Sequence, residues 1–353
     1  MSMKMLKEDE EPMKKKSPLT IPAASRLRGG DDQNIYYLDD QGREHCLSEM
    51  SDLLQELERL CRKRLPGDRI IDLEKPMELV VLSVGQNVVR CRWPDSAETV
   101  TVRLSGDFFF NVFPAEIVTF QPRKSWRYAR NPYLSGTFMS ARLDVDALGL
   151  TPLKLSEFGP WDPAEEMLGD DGDVVTDPAE LSFVERRIYA AGVRQQYEME
   201  QILPGLDPHD MDSDPIMEAM AVRDAEGTMA AAEKLMDLLR ADLRCLDAYA
   251  HLGYLWYDNF PEAAQHYYAA GVAIGELSLP DDFRGLLPWA MIDNRPFLRC
   301  LHGYGLTLWR LNRLEEAQAV FARLLLLNPM DNQGARFNLA DTAEGRSWDE
   351  SEV

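Results

Sequence analysis

Cysteine is scarce and badly placed for chemistry. Five residues (Cys46, Cys61, Cys91, Cys245 and Cys300) stand far apart in a chain of 353. None forms a Cys-x-x-Cys pair, so neither a disulfide framework nor a zinc site is indicated, and a reducing compartment is the natural setting. Histidine is equally rare, with five residues. His251, His266 and His302 have no His or Cys partner three or four positions away, so no metal site is expected. Long apolar runs are missing too: none approaches the roughly 18 residues that a membrane span requires. The opening "MSMKMLKEDEEPMKKKSP" puts charge where a signal peptide needs an apolar centre, so a cytoplasmic location without membrane attachment is expected. No Gly-Lys-Ser/Thr phosphate loop, Gly-x-Ser-x-Gly elbow or Gly-x-Gly-x-x-Gly turn occurs, and the expectation is a protein without catalysis or cofactor. Positive charge is also short. Lys and Arg number 38 against 60 acids, a net charge of −22. Such a chain repels itself and, taken whole, is a poor match for nucleic acid or an anionic membrane.

What is present is an ordinary globular composition, 45% apolar, in a chain long enough for two domains. Its charge is unevenly spread. Residues 76–142 carry eight basic residues against five acids, whereas 143–182 carry eleven acids and only Lys154. That reversal marks a boundary.

Residues 1–33 mix Lys, Glu, Pro and Gly with few large apolar side chains and read as a disordered tail. Residues 34–72 read as a hairpin, "NIYYLDDQGREHCL", and a helix capped by Ser48 with Leu53, Leu57, Leu60 and Cys61 on one face. From Met77 the period changes to two. "MELVVLSV", "NVVRCRW", "TVTVRL", "EIVTFQP", "SWRYAR" and "GTFMSARLDV" predict six short strands in a small antiparallel barrel or curled sheet over 73–145, of the SH3-like or OB-like kind. Residues 146–180 read as an acidic linker. Its Asp170, Asp171, Asp173 and Asp177 lack the ligand spacing of a calcium loop and fit a solvated loop. Residues 181–343 turn helical, and 344–353 form an acidic tail.

Self-similarity appears in the helical part. Gly305, Ala317, Phe321 and Pro329 stand at offsets 0, 12, 16 and 24, which match positions 8, 20, 24 and 32 of the 34-residue tetratricopeptide pattern. This copy begins at Leu298. A second begins at Leu246 with Tyr249, Leu252, Gly253 and Trp256, followed by Ala264, Tyr268 and Gly271. A weaker third begins at Asp212 with Ala219, Ala231, Leu235 and Leu238. Small residues at positions 8 and 20 let two helices approach, and large ones at 4, 7, 11 and 24 fill the gap to the next pair. Residues 212–343 thus resemble the tetratricopeptide repeat (TPR) family. Within them Trp289, Arg295-Pro296-Phe297, Leu327 to Pro329, Asp331 to Gly334 and Arg336 look like a bacterial TPR group distantly similar to the suppressor-of-tumorigenicity proteins. The resulting fold expectation is α+β: a small β domain with a flanking helix, then an all-α TPR-like array.

The resemblance implies binding on a concave face lined by first-helix positions 2, 5, 9, 12 and 13. These are Asp247, Ala250, Tyr254, Tyr257 and Asp258, then Arg299, His302, Leu306, Trp309 and Arg310. Aromatics beside Arg are typical of peptide hot spots, so Tyr254, Tyr257, Arg299, His302, Trp309 and Arg310 are the candidate partner-binding residues. Lys and Asn of the clamp that grips a terminal carboxylate are absent at these places. About 19 residues, 279–297, are inserted between the second and third copies. Trp289 and Arg295 there either reach a ligand, which adds Arg295 to the candidates, or plug the seam between helix pairs. The leading functional expectation is an adaptor that holds a protein or peptide partner in the concave groove. The alternative is nucleic-acid binding by "RKSWRYAR" in the β domain, where Arg123, Lys124, Trp126, Arg127, Tyr128 and Arg130 combine charge with stacking rings. Those rings also fit a packing role, with the charges paired to the acidic linker.

Overall fold

The computed structural model describes residues 27–29, 35–38, 44–46, 69, 71–103, 111–128, 131–168, 181, 183–207, 209–210 and 213–351. The chain divides into two compact units, Met1–Ile70 and Ile71–Val353. In the first, β1 (Leu27–Gly29), β2 (Ile35–Leu38) and β3 (Glu44–Cys46) form a sheet in that order. β2 and β3 pair antiparallel, Tyr36 opposite Cys46, and β1 adds a third strand within the stretch expected as a tail. The helix expected after Ser48, the acids Asp170 to Asp177 and Arg130 lie outside the described residues.

The second unit is mixed: a closed five-stranded barrel followed by a helical region. Its strands are β4 (Met77–Val84), β5 (Val88–Arg92), β6 (Thr99–Arg103), β7 (Glu116–Tyr128) and β8 (Asn131–Leu143), closing in the order β4-β5-β6-β8-β7. β6 and β8 run parallel; the other pairings are antiparallel. Alternation places Val89, Cys91, Val100 and Val102 inside. There are five strands here and not six, because "EIVTFQP" and "SWRYAR" are one strand. Pro122 lies where the β7–β8 register shifts, so its missing N–H leaves the ladder intact. Gly136 stands opposite it. A Cβ at Gly136 would sit 2.0 Å from the Gln121 carbonyl oxygen, so only glycine lets the two strands close at this bulge.

After the barrel come β9 (Leu155–Trp161), α1 (Pro163–Leu168), α2 (Phe183–Ala190) and β10 (Arg194–Met199). β9 and β10 pair antiparallel, so part of the stretch expected as linker is sheet. Helices follow: α3 (Pro215–Glu226), α4 (Thr228–Ala241), α5 (Leu246–Tyr257), α6 (Pro261–Glu276), α7 (Arg295–Arg310), α8 (Leu314–Leu327), α9 (Ala335–Ala343) and the short α10 (Trp348–Ser351). Asp214 starts the series by accepting from the N–H groups of Ile216 and Met217, with Pro215 in the first turn, where its missing N–H costs nothing. Successive helices pack together, and α5 also packs on α7.

One core runs from the barrel into the helices. Residues Leu79 to Val84 are buried in unbroken succession, because the inner side of β4 faces the barrel while α4 packs against the strand. At the same joint the Phe113 ring stacks on His266 at 4.1 Å, and buried Glu116 accepts from the Phe113 N–H at 2.9 Å and lies 3.0 Å from His266 Nδ1.

Candidate functional site

A pocket of about 420 Å³ opens between α3, α5 and α7, lined by Met220, Arg223, Ala250, His251, Tyr254, Tyr268, Arg299, His302, Gly303, Leu306 and Gln333. Its floor is the Tyr268 ring of α6. The ring lies there because the two helices above it leave room: a Cβ at Gly253 of α5 would come within 2.5 Å of it, and one at Gly303 of α7 within 2.3 Å. Two glycines, one from each first helix, give the tyrosine its place.

The walls are mixed: Met220, Ala250 and Leu306 give apolar surface beside Arg223, His251, Arg299, His302 and Gln333. Arg299 donates to Asp247 Oδ1 at 2.9 Å, and His251 Nδ1 lies 2.9 Å from the Asp247 carbonyl oxygen and 3.3 Å from its carboxylate. Burial alone would raise the Asp247 carboxyl, but His251 and Arg299 outweigh it and hold it below its ordinary value. The same pair acts in reverse on His251: burial pulls the imidazole down, and Asp247 more than restores it, so its pKa is raised. His302 is pulled down by burial, opposed by its 3.0 Å contact with Asn338, and favours the neutral form. Arg223 reaches over the Tyr254 ring at 5.7 Å while paired with Asp224. A half-exposed aromatic, two guanidiniums and two imidazoles therefore share one concave surface over an apolar floor. Such a surface offers hydrogen bonds to a carboxylate-bearing chain and area to an apolar side chain.

Of the seven candidate groove residues, the structure brings Tyr254, Arg299 and His302 together here. Trp309 is elsewhere. It is 2% exposed, donates from Nε1 to the Arg346 carbonyl at 2.8 Å and meets the Trp348 ring edge-on at 5.2 Å. Tyr257 meets Trp348 as well, at 5.9 Å, and carries the Arg310 guanidinium over its ring at 5.1 Å. Arg310 donates to the carbonyls of Tyr257 and Asp258, tying α7 to the end of α5. Arg295 turns away from the pocket, donating to the Trp289 carbonyl at 3.0 Å and lying over its indole at 5.3 Å.

The inserted stretch is a built connector. Leu286 makes a parallel bridge to the edge of β10 at Gln196, its N–H donating to the Gln195 carbonyl and its carbonyl accepting from the Tyr197 N–H. Buried Asn294 accepts from the Met199 N–H at 2.7 Å and donates to the carbonyls of Tyr197 and Pro288. Arg295, Pro296 and Phe297 belong to α7 and not to the insertion, since proline fits a first turn. Phe297 is fully buried where Gly275 leaves room for its ring.

Six lining residues lay outside the concave-face positions read from the sequence, and two of them had a usable signal. Met220 and Arg223 are positions 9 and 12 of the copy beginning at Asp212, to which the concave-face rule was not extended. His251 and Tyr268 had none, because their approach depends on the pitch of α5 and on the two glycines.

On the barrel, Arg123, Lys124, Arg127 and Tyr128 are exposed at the end of the long β7–β8 ribbon. Trp126 stacks on its cross-strand neighbour Tyr133 at 5.6 Å, and Arg103 lies over the same tyrosine at 5.8 Å. Tyr128, 71% exposed, meets Tyr133 edge-on.

Among the described residues no three His, Cys, Asp or Glu side chains converge as a metal site, and no helix is long and apolar enough to cross a membrane. Cys91, Cys245 and Cys300 are buried thiols; burial pushes all three up, Cys245 to about 12, which makes them poor nucleophiles. Against known proteins, no family model matches the chain and no curated protein matches it significantly.

Proposed function

We propose that this protein is a non-enzymatic adaptor whose TPR-like helices hold a peptide segment of a protein partner in the concave pocket. The observation that carries the reading is the meeting of Tyr254, Arg299 and His302, from two helices 50 residues apart in sequence, with Arg223 from a third. Each sits where the repeat phase puts a ligand-facing residue, and the close approach of Gly253, at position 8, to the Tyr268 ring fits the small-against-large packing of that pattern. Buried thiols, and histidines engaged by Asp247 and Asn338, leave the pocket suited to holding a ligand rather than transforming it.

The test is affinity purification from the native cell with the wild-type chain and with a Tyr254→Ala, His302→Ala double variant. A partner recovered by the first and lost by the second, with both proteins melting alike, supports the reading. A partner retained by the variant places binding elsewhere. The second reading, nucleic-acid binding by the β7–β8 ribbon, rests on exposed Tyr128 amid Arg123, Lys124 and Arg127. It requires salt-dependent binding of a single-stranded oligonucleotide that weakens in Trp126→Ala.

A further inference from the structure

Beyond α9 the chain turns at Gly345, whose φ of 75° lies in the left-handed region, and comes back as Arg346, Ser347 and the single turn of α10. This return lands on the ends of α5 and α7. Trp348 meets Trp309 and Tyr257 edge-on, at 5.2 and 5.9 Å, and the Arg346 carbonyl accepts from the Trp309 indole. Tyr257 and Trp309 lie three residues beyond Tyr254 and Leu306 on the same helices, so Trp348 occupies the next turn along from the pocket. The residues after it are Asp349, Glu350, Ser351 and Glu352. The neighbouring helix ends and pocket carry Arg310, Arg299 and Arg223, each already beside one acid, Asp258, Asp247 and Asp224 respectively.

Resting on the peptide-groove reading above, we infer that the partner segment is an aromatic residue followed directly by acids, and that the chain's own Trp348-Asp349-Glu350 holds the aromatic anchor place in competition with it. The indole fills a place between two aromatic rings, where interface anchors do most of their work. Acids that follow the anchor are opposite in sign to the Arg310, Arg299 and Arg223 guanidiniums, for which they compete with Asp258, Asp247 and Asp224. A tethered segment faces its site at an effective concentration in the millimolar range, so a partner must outcompete it, and removing the segment unmasks the site.

The probe is a fluorescein-labelled synthetic peptide of residues 345–353, titrated by anisotropy into the full chain and into the chain ended after Gly345. The expected result is saturable binding to the shortened chain, at least about tenfold tighter than to the full chain. Replacing the peptide's tryptophan by alanine, or its acids by their amides, should each abolish or strongly weaken that binding. Trp348→Ala in the full chain guards against a folding artefact: it should melt within a few degrees of wild type and gain peptide affinity. Two outcomes overturn the inference. One is a folded shortened chain that ignores the peptide or binds its alanine form equally. The other is a shortened chain and Trp348→Ala protein that both melt far below wild type, which makes Trp348 a core plug. The groove reading itself stands or falls separately, on whether the native partner depends on Tyr254 and His302.

Discussion

Two surfaces of this molecule carry the same residue types, arginine beside aromatic rings, and they are built in opposite ways. On the barrel ribbon the rings of Trp126, Tyr128 and Tyr133 pack on one another at the end of two long strands, with charge fanned around them. In the helical region Tyr254, Arg299 and His302 converge inward over Tyr268, and Asp247 stands behind them to hold Arg299 and His251 in place. Composition alone does not separate the two. What separates them is concavity and a supporting layer, which fix donor positions before a ligand arrives and so reduce the ordering cost of binding.

The sharpest way to probe the comparison is through the glycines that shape each half. Gly136→Ala should be the most damaging, about 3 kcal/mol or more, because the added methyl meets the Gln121 carbonyl, a backbone atom that cannot swing aside. Gly303→Ala meets the Tyr268 ring instead, and should cost roughly 1–3 kcal/mol while also deforming the pocket floor. Chemical denaturation ranks the two. Equal costs would mean that ring and backbone yield alike, and the close-approach account of the floor would fail.

Next comes the supporting layer. Asp247→Asn removes the charge that Arg299 and His251 share, and should cost about 2 kcal/mol of stability, less than a fully buried pair because Arg299 is partly exposed. Partner affinity should fall with it, since Arg299 loses its anchor. Trp126→Ala on the ribbon should cost about 1 kcal/mol or less and leave partner affinity unchanged. If the ribbon variant weakens partner binding more than Asp247→Asn does, the functional surface is the barrel.

The pH dependence of the same layer has a definite sign. With its pKa held below the ordinary 3.8, Asp247 contributes stability that is present above that pH and lost as pH falls through the lowered value. His251, raised above 6.5, contributes stability that is present below 6.5 and lost as pH rises through the raised value. His302 runs the other way, its contribution present above 6.5 and lost in acid. The melting-temperature gap between wild type and His251→Gln should therefore be widest between about pH 4 and 6.5 and narrow above it, a shift of a few degrees. A gap that widens toward alkaline pH would contradict the pairing.

Period-two alternation made the barrel legible in the sequence itself, and residue spacing placed the helices. Neither reveals which strands are neighbours: the parallel β6–β8 contact joins segments separated by all of β7, and no local pattern encodes it. Pro122 misled for a definite reason, since a proline usually ends a strand and here coincides with a bulge opposite a glycine. In the helical region the meeting of Tyr254, Arg299 and His302 at one pocket was readable from their spacing. The covering of Trp309 was not, because it depends on a chain reversal at Gly345 that returns Trp348 from outside the repeat.

Burial of β4 on two sides has a consequence for synthesis. The run Leu79 to Val84 emerges with the barrel, but α4, which packs against it, follows about 150 residues later. At roughly 5–20 residues per second, the ribosome leaves the side of this strand that α4 covers without that cover for about seven to thirty seconds. During that interval the nascent chain presents an uncovered apolar strand face to the cell, so a pause or truncation between the barrel and α4 should send the product to chaperones and not to a free, folded barrel.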